Sequence, residues 1–224
     1  MLKKIRITLW VVAALIITYT VYTSDRFKET ELDPSNQMVL SGSMTPDVTN
    51  NEAPTFMPVA GLKPSGDFTL VDQNNQEFTQ DSAAWQVEYK MIYFGFTFCP
   101  MICPTELQKM TQVLNDLPSE KADKIQPLFI TIDPERDTPD VMKKYISLFH
   151  PNFVGLTGTQ EQINHMTEKW KIFATRVEDD TLSGYTMDHS SYIYLQGPKG
   201  DILGLFRMRD NAADITEYLA KIIP

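Results

Sequence analysis

Two continuous apolar runs, residues 90–96 and 128–132, are each followed by a segment with helical periodicity. Such runs are typical of strands buried on both faces of a sheet, because a half-solvated strand alternates apolar and polar residues. Pro118 ends the first helical segment, and the second begins after Pro139. The succession of strands and helices predicts an α/β fold with helices on both faces of the sheet.

The flanking segments predict further elements of the same domain. Two β-hairpins are expected, one around a polar turn at 73–76 and one around a turn at 197–200. Thr159 and Gln162 have the spacing of a capping box and predict the start of another helix. Its apolar face is expected to consist of Ile163, Met166, Trp170 and Phe173. A short strand at 153–156 and a C-terminal helix marked by Ile215, Tyr218, Leu219 and Ile222 complete the prediction.

The N-terminus has the pattern of a membrane anchor. Residues 7–24 carry no charge, which is just long enough to span a bilayer, and they follow Lys3, Lys4 and Arg6. Basic residues stay on the cytoplasmic side, so the rest of the chain is expected across the membrane. We therefore expect residues 1–24 to form one transmembrane helix in a bacterial inner membrane, with the C-terminal domain in the periplasm. A cleaved signal peptide is the alternative, although the segment lacks a good cleavage site.

Composition divides the remainder into a linker and one domain. Residues 25–64 contain five prolines among Ser, Thr, Asn and Asp, which is typical of a linker. Residues 65–224 then form a single folded domain of ordinary size. The net charge is −9, and nucleic-acid-binding proteins are usually basic, so we expect no nucleic-acid partner.

The two cysteines of the chain, Cys99 and Cys103, lie between the first apolar run and the helix that follows it. Open α/β sheets place their functional sites at this end of their strands. Both sulfurs are expected near the helix N-terminus, where the dipole and free N–H groups favour thiolate over thiol. A structural disulfide is one use of the pair, but closing so short a loop adds little stability.

Two neighbouring thiolates otherwise suit either dithiol–disulfide exchange or the binding of a soft metal ion. An imidazole would complete a Cu(I) or Cu(II) site, and copper stands at the top of the affinity order. His189 is one of three histidines and lies in a segment expected to be a loop entering a strand. The sequence alone does not bring it to the cysteines.

Several ordered motifs resemble the Sco/SenC family of copper-binding proteins for cytochrome c oxidase assembly. Residues 93–97 followed by Cys-Pro-x-x-Cys-Pro-Thr-Glu-Leu form the first, and residues 133–139 form the second. Residues 155–158 and 188–190 follow in the same order. The resemblance covers residues 64–223, and its Cys-x3-Cys spacing differs from the Cys-x2-Cys of thioredoxin itself.

The resemblance implies a thioredoxin-like fold, with a central mixed sheet flanked by helices and an N-terminal β-hairpin extension. It also implies copper bound by Cys99, Cys103 and His189, with Asp188 as a neighbour that orients His189. The family delivers copper to, or reduces the cysteines of, the dinuclear copper centre of oxidase subunit II. A metallochaperone of this kind is the first functional expectation, with subunit II or another cuproprotein as the partner.

One position departs from the family pattern. Met101 stands where family members usually carry Asp after the first Cys-Pro, so a negative charge near the thiolates is replaced by a soft thioether. Met187 adds a second thioether beside Asp188. Both are expected around the site, either close to the metal or only packing there. The change puts in question whether the usual oxidase centre is the target.

The main alternative is a thiol–disulfide oxidoreductase that uses the Cys99–Cys103 pair and is itself reduced by a thiol reductase. This function needs both cysteines but tolerates the loss of His189. A thiol peroxidase would also suit the fold, but the motif around Thr97 contains no arginine. Oxidation of the pair would remove both thiolates and release copper, so chaperone and redox functions can alternate in one protein.

Overall fold

The computed structural model describes residues 62–179 and 184–224. The predicted membrane anchor, residues 1–24, and nearly all of the predicted linker lie outside the described residues. Within the described ranges, no helix combines the length and the apolar character that crossing a bilayer requires.

The described residues form nine strands and five helices. In chain order they are β1 (Thr69–Asp72), β2 (Glu77–Thr79), β3 (Tyr89–Gly95), α1 (Ile102–Asp116), α2 (Ser119–Ala122), β4 (Ile125–Thr131), α3 (Pro139–Ile146), β5 (Val154–Thr157), α4 (Gln160–Trp170), β6 (Ala174–Asp179), β7 (Gly184–His189), β8 (Tyr192–Gln196), β9 (Ile202–Arg207) and α5 (Ala212–Ile222).

Seven of the strands form one mixed sheet in the order β2-β1-β5-β4-β3-β8-β9. The central strands β3, β4 and β5 are parallel, because helices connect them, and the outer strands pair antiparallel. The two predicted hairpins are present as β1–β2 and β8–β9. Strands β6 and β7 pair only with each other, in a separate two-stranded sheet.

The continuous apolar runs are the centre of the core, as predicted. Every residue of β3 is buried, and so is every residue of β4 except Gln126. Leu107, Met110 and Leu114 of α1 pack against them with at most 4% of their surface exposed. Helix α1 ends at Asp116, just before Leu117 and Pro118, because proline cannot continue the hydrogen-bonding pattern.

The capping box at the start of α4 is present, but one of the four residues predicted for the apolar face of this helix, Phe173, does not belong to it. The Thr159 hydroxyl accepts the Gln162 N–H at 3.2 Å, and the Gln162 side chain accepts the Thr159 N–H at 2.8 Å. The helix ends at Trp170, because Lys171 adopts a left-handed conformation with φ 55°. Phe173 therefore lies outside the helix and is 58% exposed.

The sheet of β6 and β7 was not predicted. The residues of β6 are half-buried or exposed throughout, so the strand has no buried face to produce an apolar alternation. The pairing places His189 opposite Ala174, at the end of β7. His189 is therefore the last residue of a strand, and not a residue of the loop in which the sequence placed it.

Candidate metal and redox site

The two cysteines occupy different positions at the start of α1. Cys99 lies in the loop after β3 and is half-buried, whereas Cys103 is the second residue of the helix and is fully buried. The Cys99 sulfur accepts the Cys103 N–H at 3.3 Å. The N-cap residue Met101 makes no side-chain capping bond. Cys99 thus supplies an acceptor to a helix end that would otherwise lack one.

This arrangement makes the two thiols electrostatically unequal. Hydrogen bonds from the Cys103 thiol and from the N–H groups of Cys103, Met101 and Ile102 lower the pKa of Cys99 to about 5. The adjacent Cys99 sulfur and burial strongly raise the pKa of Cys103. The sequence predicts thiolates at both positions. The environment in the structure favours the thiolate at Cys99 and the thiol at Cys103, which donates to Cys99. Both cysteines are free in this structure.

His189 comes to the buried cysteine from the end of β7. Its Nε2 atom lies 3.9 Å from the Cys103 sulfur, and its Nδ1 atom lies 3.1 Å from the carbonyl oxygen of Ser190. A carbonyl oxygen only accepts, so the proton of the neutral ring is on Nδ1 and the Nε2 lone pair faces the Cys103 sulfur. Burial lowers the pKa of His189, which keeps the ring neutral and able to bind a metal ion.

Asp188 does not take the role that the sequence suggested. Among the described hydrogen bonds of the His189 ring, the bond at Nδ1 goes to the Ser190 carbonyl, and none joins the ring to Asp188. Asp188 is exposed and pairs with Thr175 across the two-stranded sheet. The backbone of Ser190, rather than a carboxylate, thus orients the imidazole.

Both methionines singled out in the sequence border the same pocket. This pocket has a volume of about 220 Å³, and its lining includes Cys99, Met101, Met187, Asp188 and His189. Met101 is 70% exposed at its rim. Met187 is half-buried and packs against the core. The structure therefore brings all six predicted residues to one place, with Cys103 beneath the pocket.

Aromatic side chains complete the floor of the site. The Tyr93 hydroxyl contacts the Cys103 sulfur at 3.8 Å, and burial raises the pKa of Tyr93 above its usual value. The His189 ring meets the rings of Tyr93 and Phe96 edge-on, with centroids 6.2 and 5.9 Å apart. Tyr93 opens the first motif of the resemblance, but the sequence analysis predicted no contact between it and the cysteines, since it also reads as one more residue of a buried strand.

A buried carboxylate supports the cysteine loop from the other side. Asp137 is fully buried and accepts the Thr97 N–H at 3.0 Å, the Thr97 hydroxyl at 2.5 Å and the Thr131 hydroxyl at 2.6 Å. Burial raises the pKa of this carboxyl. Asp137 belongs to the second motif of the resemblance, which is the one signal in the sequence that pointed to it.

The donor set suits a soft metal ion. Metal–sulfur and metal–nitrogen bonds near 2.3 and 2.0 Å place two ligands of one ion roughly 3.6 Å apart, which is close to the 3.9 Å between Cys103 and His189. In the described parts of the chain, no three Cys, His, Asp or Glu side chains already surround one metal position. The donor atoms therefore suit a soft metal ion by their chemical identity and their proximity, but they do not already form a complete coordination shell.

Comparisons with known proteins point to one family. The family model for SCO1/SenC matches residues 60–224. The chain belongs to the SCO1/SenC family. An SCO2-like protein from Rickettsia felis is 47% identical over 159 residues, which cover 70% of this chain and 76% of that protein.

Solved structures of other Sco proteins have the same fold. Copper-bound yeast Sco1 is 36% identical, with a TM-score of 0.63 over 70% of this chain and 87% of that one. BsSco, a member of the Sco family of cytochrome c oxidase assembly proteins in which a disulfide switch was identified, is 26% identical. Its TM-score is 0.56 over 74% of this chain and 95% of its own. The predicted thioredoxin-like α/β fold with a mixed sheet is thereby confirmed.

Proposed function

We propose that this SCO1/SenC protein is a metallochaperone that binds one copper ion through Cys99, Cys103 and His189. The observation that carries the proposal is the 3.9 Å separation of the Cys103 sulfur and His189 Nε2, beside the Cys99 thiolate. Two sulfurs and one neutral imidazole form a set of soft and intermediate donors, which favours Cu(I) and also accommodates Cu(II). Copper in the solved yeast relative supports the choice of metal.

Copper is the cargo in this proposal, and the chain prepares its donors unequally. Cys99 already carries a negative charge at neutral pH, whereas Cys103 must lose its proton when the ion binds. The Tyr93 hydroxyl then donates to the Cys103 sulfur, and the Ser190 carbonyl holds the imidazole. We infer that the copper is delivered to a cuproprotein such as cytochrome c oxidase subunit II, or alternatively that the chain keeps the cysteines of that protein reduced. Membership of the SCO1/SenC family supports both roles.

The cysteine pair also favours a second candidate function, thiol–disulfide exchange. The half-exposed Cys99 thiolate would attack a partner disulfide, forming a mixed disulfide and releasing one partner thiolate. Cys103 would then lose its proton and attack the Cys99 sulfur, forming the intramolecular disulfide and releasing the second partner thiol. Two electrons pass to the partner, and a thiol reductase would restore the dithiol. The disulfide switch identified in BsSco supports this candidate.

We further propose that residues 1–24 anchor the protein in a bacterial inner membrane and that the domain lies in the periplasm. The uncharged segment 7–24 and the three basic residues before it support this location. Such a tether would hold the copper site near membrane-bound partners.

The deciding experiment measures copper binding by the 224-residue chain, purified in detergent and fully reduced without oxygen. The chain, His189→Ala and Cys99→Ser are compared for Cu(I) stoichiometry and affinity. One tightly held ion that both variants lose establishes the three-donor site. Tight Cu(I) binding that does not depend on His189 would overturn the proposed chaperone function, and so would the absence of tight binding. Either result would leave the dithiol as the functional group.

A further inference from the structure

The position of His189 depends on contacts outside the main sheet. In the described part of the chain, β7 pairs only with β6, so no ladder of backbone hydrogen bonds joins the strand of His189 to the strand before the cysteines. Two links therefore join the two-stranded sheet to the core. The first is the chain itself, since β8 begins three residues after His189 and pairs with β3. The second is formed by side chains. Ala174 and Met187 pack against the core, and Tyr185, the second residue of β7, is 7% exposed and lies between the guanidinium groups of Arg136 and Arg176.

Three residues, Asp133, Arg136 and Tyr185, form what we call the latch. The Arg136 guanidinium donates through Nε to Asp133 at 2.5 Å and through Nη1 to the Tyr185 carbonyl at 3.0 Å. The Tyr185 hydroxyl donates to the other oxygen of Asp133 at 2.8 Å. The side chains of Arg136 and Asp133 are only 14% and 4% exposed, so these charged hydrogen bonds are shielded from water.

The guanidinium also packs against rings on both sides of the site. Its central carbon lies 3.7 Å from the Tyr185 ring centroid and 4.7 Å from that of Phe98, the residue before Cys99. Arg136 thus contacts the cysteine loop and the strand of His189 at once. Asp137, the next residue, holds Thr97 of the same loop.

We propose that Arg136 is a positioning residue, which fixes the two-stranded sheet so that His189 stands beside Cys103. The inference rests on the proposed function, because it assigns Arg136 a part in building the copper site. The planar guanidinium can donate hydrogen bonds to Asp133 and to the Tyr185 carbonyl while it stacks on two aromatic rings. A lysine ammonium at the same place keeps the charge and loses this geometry.

The first test measures Cu(I) affinity by competition with a chromophoric chelator, again with the 224-residue chain in detergent. Arg136→Lys is expected to weaken binding about 10- to 100-fold, as residues behind metal ligands usually do. Tyr185→Phe, which removes one hydroxyl, is expected to weaken it several-fold. The matched control is Arg176→Gln, because Arg176 lies 3.6 Å from the same ring but is 47% exposed. This control should bind as the unmodified chain does.

A double-mutant cycle separates positioning from general damage. In the His189→Ala background, Arg136→Lys should cause no further loss, because its effect acts through His189. An equal loss in both backgrounds, or wild-type affinity in Arg136→Lys and Tyr185→Phe, would overturn the proposal.

A copper-free measurement keeps the proposal distinct from the chaperone function. Nuclear Overhauser contacts between the His189 ring and the rings of Tyr93 and Phe96 are expected in the unmodified chain and in Arg176→Gln. They should disappear in Arg136→Lys and weaken in Tyr185→Phe. Their persistence in Arg136→Lys contradicts the latch whether or not the protein binds copper. If they disappear while copper binding proves independent of His189, only the chaperone function fails.

Discussion

His189 Nε2 lies 3.9 Å from the sulfur of Cys103, although 86 residues separate the two in the chain. One stands at the start of a helix in the main fold and the other at the end of a strand in a separate sheet. Their proximity is therefore a property of the tertiary structure alone.

Alkylation of Cys99 should show the acidity of its thiol. With a pKa of about 5, its reaction rate with iodoacetamide should rise through pH 5 and level off well below the pH at which an ordinary cysteine does. The folded pKa is lowered, so the thiolate stabilises the fold fully above the unfolded value near 9, and this contribution falls as pH drops toward 5. Mass spectrometry of the labelled protein gives the rate at each pH.

Cys103→Ala should raise the pKa of Cys99, because one donor is lost, but leave it below 9, because the backbone N–H donors remain. Cys99→Ser is the control and should label slowly throughout, since Cys103 is buried. A wild-type profile that rises only near pH 8 to 9 would contradict the assignment of the thiolate.

Tyr93→Phe removes the hydroxyl that contacts the Cys103 sulfur. We expect Cu(I) affinity to fall about tenfold, in the range found for groups behind metal ligands, and the free energy of unfolding to fall by about 1 kcal/mol. Chelator competition and urea denaturation measure the two quantities.

The matched control is Tyr145→Phe. The Tyr145 hydroxyl is buried and has no hydrogen-bond partner among residues 62–179 and 184–224, so its removal should leave copper affinity unchanged and stability equal or slightly higher. If Tyr93→Phe and Tyr145→Phe change Cu(I) affinity and the free energy of unfolding equally, the Tyr93 hydroxyl does not contribute to the copper site.

Gly95→Ala should disturb the site directly. A Cβ at this position would lie 2.8 Å from the Cys103 sulfur and 2.8 Å from the Tyr93 ring. We expect a loss of about 1–3 kcal/mol in the free energy of unfolding from overpacking, together with weaker copper binding. Thermal or urea unfolding of the reduced protein measures the first effect.

Gly204→Ala provides the comparison in another strand, β9. A Cβ at this position would lie 3.5 Å from the nearest atoms, which is an ordinary van der Waals contact. It should change stability by less than about 1 kcal/mol. Equal costs for the two substitutions would show that crowding at the cysteine is not the cause.

Asp137→Ala should destabilise the loop that carries Cys99. The substitution leaves the Thr97 N–H and the Thr131 hydroxyl without their acceptor in a buried place, which costs about 1–3 kcal/mol for each unsatisfied group. Asp123→Ala, at an exposed helix end, is the control and should stay within about 0.5 kcal/mol. If Asp137→Ala lowers the free energy of unfolding no more than Asp123→Ala does, Asp137 does not stabilise the cysteine loop.

The core elements could be predicted because their residues interact locally or pack uniformly. The apolar runs of β3 and β4 and the capping box at Thr159 follow rules that need only neighbouring residues. The cysteine pair was evident for the same reason, since a strand end and a helix start flank it.

The rest depended on contacts between distant segments. Strand β6 has no buried face, so no periodicity marks it, and without it the place of His189 cannot be deduced. The resemblance named three candidate ligands, but it did not predict the contact of His189 Nδ1 with the Ser190 carbonyl. The low acidity of Cys103 was also hidden, because it arises from complete burial beside a second sulfur.

The separate pairing of β6 and β7 has a consequence for how such proteins diversify. Substitutions at the exposed positions of this small sheet leave the backbone hydrogen bonds of the seven-stranded sheet in place. Selection can therefore act on the proposed ligand His189 separately from the strands that precede the dithiol, and we expect paralogues on one scaffold to differ in metal retention while sharing the same cysteine pair.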